Sequence, residues 1–131
     1  MKYLLDANAV IGLLNGNPVL GVRVRRHTPA DIGISSIVVH ELFYGAYKSQ
    51  RKEGNVALVD ALLFDVLDFD KEDARASGEI RAHLAGRGTP VGPYDVLIAG
   101  QAAARDLVLI THNSEEFRRV PGLKIEDWQT P

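Results

Sequence analysis

Short apolar runs separated by helix-length stretches constrain this chain more than any other feature. Residues 2–6, 32–35, 66–69 and 107–111 each read as a short strand, and 123–128 offers a last one. The segments between the first four have helical character. Strands alternating with helices predict an α/β fold: a central, mainly parallel sheet of about four to five short strands, flanked by helices on both faces. The chain has 131 residues, 46% of them hydrophobic, which fits one domain with one core. No internal repeat, low-complexity segment or linker divides it.

The helices follow from caps and breakers. Asn8 is placed to cap a helix over 8–14, which Asn15-Gly16-Asn17-Pro18 breaks. A second helix over 19–27 ends at Thr28-Pro29. Ser36 caps a helix running to about Ser49, and the polar stretch 49–55 leads into another over 56–64. Asp70 opens a helix to about Leu84, with Asp73 three residues on in a near capping box. A glycine- and proline-rich stretch precedes a helix over 94–105, whose alanines (Ala99, Ala102, Ala103, Ala104) suit close packing.

Composition narrows function. The net charge of −2 argues against a protein that coats nucleic acid nonspecifically. It leaves room for a nuclease whose acidic centre is ringed by local basic groups. Three such clusters occur: Arg23, Arg25, Arg26 and His27; Lys48, Arg51 and Lys52; Arg118 and Arg119. Taken one at a time, each reads as a solvated helix face. The absence of cysteine excludes disulfides, thiolate nucleophiles and cysteine zinc sites. No run approaches the ~18 apolar residues of a membrane span, and the first residues lack a signal peptide's pattern, so a cytoplasmic location is the expectation.

Three acids stand at structural junctions. Asp6 ends the first apolar run, Glu41 lies inside an apolar helix, and Asp95 opens the segment 94–104. In open α/β sheets, sites form beyond the carboxyl ends of the strands. Asp6 and Asn113 fall there directly, and Glu41 and Asp95 follow loops at the same edge. Acids held side by side are costly unless a cation neutralises them. Magnesium and manganese take oxygen ligands, acidify a bound water and stabilise charge on a phosphodiester. Asn8, Ser36, Thr111 and Asn113 are neutral groups suited to orienting waters. Plainer roles exist: Asp6 as a strand end and cap, Asp95 as a first-turn acid favoured by the helix dipole. Glu41, between Ile37-Val38-Val39 and Leu42-Phe43, is predicted to be partly buried and to need a partner. The three together favour a metal site.

At these residues the chain resembles the PIN-domain ribonucleases, most closely the VapC-like toxins of type II toxin–antitoxin pairs. The resemblance rests on Tyr3-Leu4-Leu5-Asp6-Ala7-Asn8; on Ser35-Ser36 through His40-Glu41-Leu42-Phe43-Tyr44-Gly45; on Pro93-Tyr94-Asp95-Val96; and on Leu109-Ile110-Thr111-His112-Asn113 with Glu116-Phe117. It implies a PIN-like fold and Mg²⁺- or Mn²⁺-dependent cleavage of single-stranded regions of structured RNA, transfer or ribosomal, by metal-activated water. It assigns the metal to Asp6, Glu41 and Asp95. A further family acid is replaced here by Asn113, for which Glu115 or Glu116 can compensate, and Ala7 replaces a hydroxyl residue. The resemblance also implies an antitoxin partner and a homodimer. Val10, Ile11, Leu13, Leu14, Leu42, Phe43, Tyr44 and Tyr47 are candidates for a receiving groove, although core packing is expected of most. Arg25, Arg26 and His112 are the candidate substrate contacts.

Other readings compete. A haloacid-type phosphatase needs an aspartate where Asn8 stands. A phosphoryl-accepting receiver would use acids such as Asp68 and Asp70 after the third strand. A non-catalytic binding module would keep the fold without turnover, and Asn113 and Ala7 are its support. The segment 86–92 lacks dinucleotide-loop spacing and a P-loop lysine. His27, His40, His83 and His112 have no zinc spacing.

Overall fold

Strand β1 (Tyr3–Leu5) pairs with β2 (Ile32–Ser35) on one side and β4 (Val108–Ile110) on the other. The computed structural model describes residues 1–131. With β3 (Asp65–Leu67) and β5 (Ile125–Glu126) at the edges, the order is β3-β2-β1-β4-β5, and every pair is parallel. Leu5 stands level with Ile34 and Ile110, so β1 and β4 end together and β2 runs one residue further. Leu4, Leu5, Ile32, Ile34, Leu109 and Ile110 are buried, as strands covered on both faces require.

Right-handed crossovers set the layers. The path β1 to β2 to β3 places α1 (Ala7–Leu14), α2 (Pro18–Arg25), α3 (Ser36–Lys48) and α4 (Lys52–Asp60) over one face. The return through α5 (Lys71–Gly86), α6 (Pro93–Ala104) and α7 (Ser114–Phe117) lies on the other. The winding reverses between β1 and β4, and a crevice opens at the carboxyl ends of such a pair.

Several helix starts differ from the sequence expectation. Asp6, not Asn8, caps α1: its backbone is extended and its carboxylate accepts from the Ala9 amide. Likewise Ser35, not Ser36, caps α3. In both cases the strand feeds the helix without a loop, so the residue at the junction, Asp6 just past β1 and Ser35 at the end of β2, takes the cap. Ser36 is used otherwise: its hydroxyl accepts from the Phe69 amide at 3.1 Å and ties down the exit of β3. Helix α4 begins four residues before the expected 56 and ends before 64, because Asn55 folds back onto the Ser49 hydroxyl at 2.8 Å. The Asp70–Asp73 capping box forms as expected. A 3-10 turn at Pro29–Asp31 and helix α7 were not foreseen.

Helices α5 and α6 pack closely. A methyl on Gly100 would meet the Ser77 hydroxyl at 1.9 Å and its Cα at 2.6 Å, so only glycine fits. Of the four alanines, Ala99 and Ala102 are buried, whereas Ala103 and Ala104 face solvent. Buried Asp73 receives two bonds from Arg105, at 3.2 and 2.9 Å, and one from Gln101 at 3.2 Å. Arg105 and Gln101 also donate to the Asp68 carbonyl. Asp68, Asp70 and Asp73 are thus engaged in joining α5, α6 and β3, not in a receiver-like pocket. No helix is long and apolar enough to cross a membrane.

Candidate functional site

Asp6 sits at the floor of the crevice. Its amide donates to the Ile110 carbonyl at 3.1 Å, extending the β1–β4 pairing by one bond. Its side chain is only 5% exposed and is fixed by the Ala9 amide at 2.8 Å. Burial pushes its carboxyl above the usual range. The Thr111 hydroxyl and the Ala9 amide pull back, Asp127 pushes it further up, and His112 draws it down.

Asp95 enters from the first turn of α6, and Glu116 from α7. The Glu116 carboxylate is held from two sides, by the Gly92 amide at 2.7 Å and by the Asn113 side-chain amide. A methyl placed on Gly92 would lie 3.5 Å from an Asp95 oxygen and 3.6 Å from a Glu116 oxygen, so the two carboxylates flank one point. Burial first, then the negative charges of Glu116, Asp6 and Glu41, push Asp95 up to about 6, and a hydrogen bond to Glu116 adds to the rise.

Glu41 comes from α3, half-buried as expected. Its carboxyl is raised by burial, lowered by His40 and raised by Asp6. The rings of His40 and Tyr94 stand 5.7 Å apart, so the chain neighbours of Glu41 and Asp95 meet across the crevice. Four acids from four elements therefore share one edge: Asp6 after β1, Glu41 on α3, Asp95 on α6 and Glu116 on α7.

No lysine or arginine lies within ion-pair distance of Asp6, Glu41 or Asp95. The donors are all oxygen, which suits a hard divalent ion. As the side chains stand, no group of three or more of these acids is placed to hold an ion between them. Magnesium commonly keeps several waters and takes only one or two carboxylates, so a full ring of protein ligands is not required. The residues fit a magnesium- or manganese-type ion.

The remaining expected residues divide. Thr111 is buried beside Asp6 and accepts from the Asn113 amide at 2.9 Å. His112 is exposed and pairs with Asp127 at 2.9 Å. Asn8 lies exposed on α1, Ser36 is tied to Phe69, and Glu115 is exposed. Arg25 and Arg26 end α2, just before the chain turns into the start of β2, so they lie towards the amino end of the sheet, apart from the acids. Asp127 was missed. Burial raises its carboxyl, but the Thr130 hydroxyl, the Gln129 amide and His112 outweigh that and hold it below the usual range. Its signal was its place directly after β5, at the same sheet edge.

An open groove of about 270 Å³ runs beside Glu41, lined by Ile11, Leu14, Leu42 and Leu58 among others. Val10 belongs to the core, while Tyr44 and Tyr47 are 62% and 58% exposed.

Comparison with known proteins gives a consistent result. The family profile described as PIN domain matches residues 3–123. A tRNA(fMet)-specific endonuclease VapC from Salmonella typhimurium is 46% identical over 98% of both chains. Ribonuclease VapC2 from Haemophilus influenzae is 35% identical over 98% of both. Among solved structures, the DNA-bound VapBC of Salmonella typhimurium superposes with a TM-score of 0.93 at 46% identity, covering 98% of each chain. VapBC-1 from nontypeable Haemophilus influenzae superposes with a TM-score of 0.90 at 32% identity, covering 99% of this chain and 100% of that one.

Proposed function

The chain belongs to the PIN-domain family, and from that premise we propose that it is a VapC-type toxin, an endoribonuclease that uses Mg²⁺ or Mn²⁺ and is held in check by an antitoxin. Support for the activity comes from relatives named as endonucleases and ribonucleases across their whole length. Support for the partner comes from neighbours solved as VapBC assemblies. The initiator transfer RNA is the substrate proposed, by similarity to the relative that is 46% identical. The single observation carrying the metal is the convergence of Asp6, Glu41, Asp95 and Glu116 from four elements on one sheet edge, with no lysine or arginine within ion-pair distance of any of them.

Each residue has a distinct task in this reading. Asp6, Glu41 and Asp95 hold the ion, which when bound supplies an acidified water and charge stabilisation at the phosphodiester. Ala9 and Thr111 keep Asp6 fixed at the crevice floor. Glu116, oriented by Gly92 and Asn113, supplies the fourth negative group, a charge that the amide at position 113 does not carry. At neutral pH Asp95 is mostly ionised and able to ligate; near pH 6 it is half protonated. His112, exposed and anchored by Asp127, is placed to meet RNA at the rim. The groove beside Glu41 is the proposed seat of an antitoxin segment. Exposed Tyr44 and Tyr47 offer surface for a second copy.

The test is cleavage of a tRNA(fMet) transcript by purified protein with Mg²⁺ or Mn²⁺, with chelator, and with Asp6→Asn or Asp95→Asn. The reading expects metal-dependent cuts, with each variant losing more than the roughly 10–100-fold typical of an outer-shell partner. Metal-independent cutting, or variants as active as the parent, contradicts it.

A further inference from the structure

A second charged feature adjoins the acids and has the opposite sign. His83 and Arg87 at the end of α5 face Arg118 and Arg119 after α7 across a cleft of about 400 Å³ with no hydrophobic side chain in its lining. All four are exposed, and no carboxylate lies within ion-pair distance of any of them. The arginines come from chain segments about thirty residues apart, so no single helix face explains their meeting.

The cleft is rigidly built. Helix α5 ends in a Schellman turn: Thr89 donates to the Leu84 carbonyl at 3.0 Å and Gly88 to Ala85 at 3.1 Å. Gly88 takes φ +68°, which reverses the chain just after Arg87. Arg119 then donates to the Pro90 carbonyl at 3.0 Å, while Gly92 donates to Glu116. One short loop is thereby pinned to the basic cleft at residue 90 and to the acidic site at residue 92. Two residues of extended chain span at most roughly 7 Å, so the cleft begins beside the acids.

A negatively charged site repels the polyanion it must cut, and an adjoining cationic track offsets this. We propose that this cleft is a phosphate-binding subsite, in which Arg87, Arg118 and Arg119 grip the RNA backbone to one side of the cleaved bond. The proposal rests on the ribonuclease reading above. Arginine suits the task, since its planar fork meets phosphate through two bonds. Such contacts set position and affinity and carry no base preference.

The experiment measures binding of fluorescently labelled tRNA(fMet) to full-length Asp6→Asn protein over a range of salt. Three further variants share that background: Arg87→Gln with Arg118→Gln, the corresponding double lysine variant, and Arg25→Gln with Arg26→Gln as an equal loss of charge at the far end of the sheet. The proposal expects the first pair to weaken binding about tenfold and to lower the salt slope by about 1.4, near 0.7 for each lost contact to a single strand. The lysine pair keeps most of the slope, and the Arg25/Arg26 pair leaves affinity and slope unchanged. Equal effects from the two glutamine pairs overturn the subsite while leaving the ribonuclease reading intact. Loss of antitoxin binding with tRNA affinity unchanged assigns the cleft to a protein partner and also overturns it. If the parent neither binds nor cuts tRNA, both readings fall. Arg119→Gln is kept apart, because Arg119 also holds the loop at Pro90.

Discussion

Asp6 serves two purposes that can be separated. As a cap it accepts the Ala9 amide; as an acid it shares the crevice with Glu41 and Asp95. Asparagine preserves the cap acceptor and removes the charge, whereas alanine removes both. Asp6→Asn is therefore expected to melt no lower than the parent, and Asp6→Ala to lose about 1 kcal/mol, as read by urea denaturation. Asp95 makes the complementary case. It caps nothing, and its neighbours push its carboxyl up to about 6. Asp95→Asn relieves that repulsion, so the metal-free variant is expected to melt above the parent while cleaving RNA far more slowly. Stability gained where activity is lost marks a residue kept for chemistry.

The hairpin of α5 and α6 carries Asp95 at one end and the Asp73–Arg105 pair at the other. Its spacing depends on Gly100 lying against Ser77. Gly100→Ala is expected to destabilise by about 2 kcal/mol or more, since the methyl meets backbone that cannot give. The same variant should raise KM for metal by shifting Asp95. Much of this architecture was legible: apolar runs ending in Asp6 and Ser35 marked strands, and Asp70 with Asp73 marked a cap. The helix starts were displaced because nothing in Leu5-Asp6-Ala7 signals that a strand enters a helix without a loop. The first turn of α4, Lys52–Asn55, was invisible because its residues are polar and its order comes from the Ser49–Asn55 bond. Asp6, Glu41 and Asp95 stood out by junction and by apolar surroundings. Asp127 did not, because two residues of β5 are too few to show a period. The charge of Arg25 and Arg26 was plain, but which sheet edge they reach depends on the path of the crossover.

Across the whole molecule, two groups of carboxylates oppose one another as pH changes. Burial raises Asp73, but Arg105, the Asp70 amide and Gln101 outweigh it and leave its carboxyl low. Together with Asp127, Asp73 therefore contributes stability that is lost as strong acid protonates it. Asp6, Glu41 and Asp95 are raised, so between their ordinary values and about 6 the folded state binds more protons than the unfolded. Stability then falls as pH rises through that window. The metal-free protein is expected to melt highest near pH 5, lower at pH 7 and lower again below pH 4, whereas saturating Mn²⁺ raises the neutral value most. Binding of Mn²⁺, followed by its electron paramagnetic resonance signal, tests the central claim directly, because it reports the ion without requiring the RNA. The account predicts one saturable site at neutral pH, weakened as pH falls through 6 and abolished in folded Asp6→Asn and Asp95→Asn proteins. Equal binding by parent and variants, or none by the parent, would contradict it.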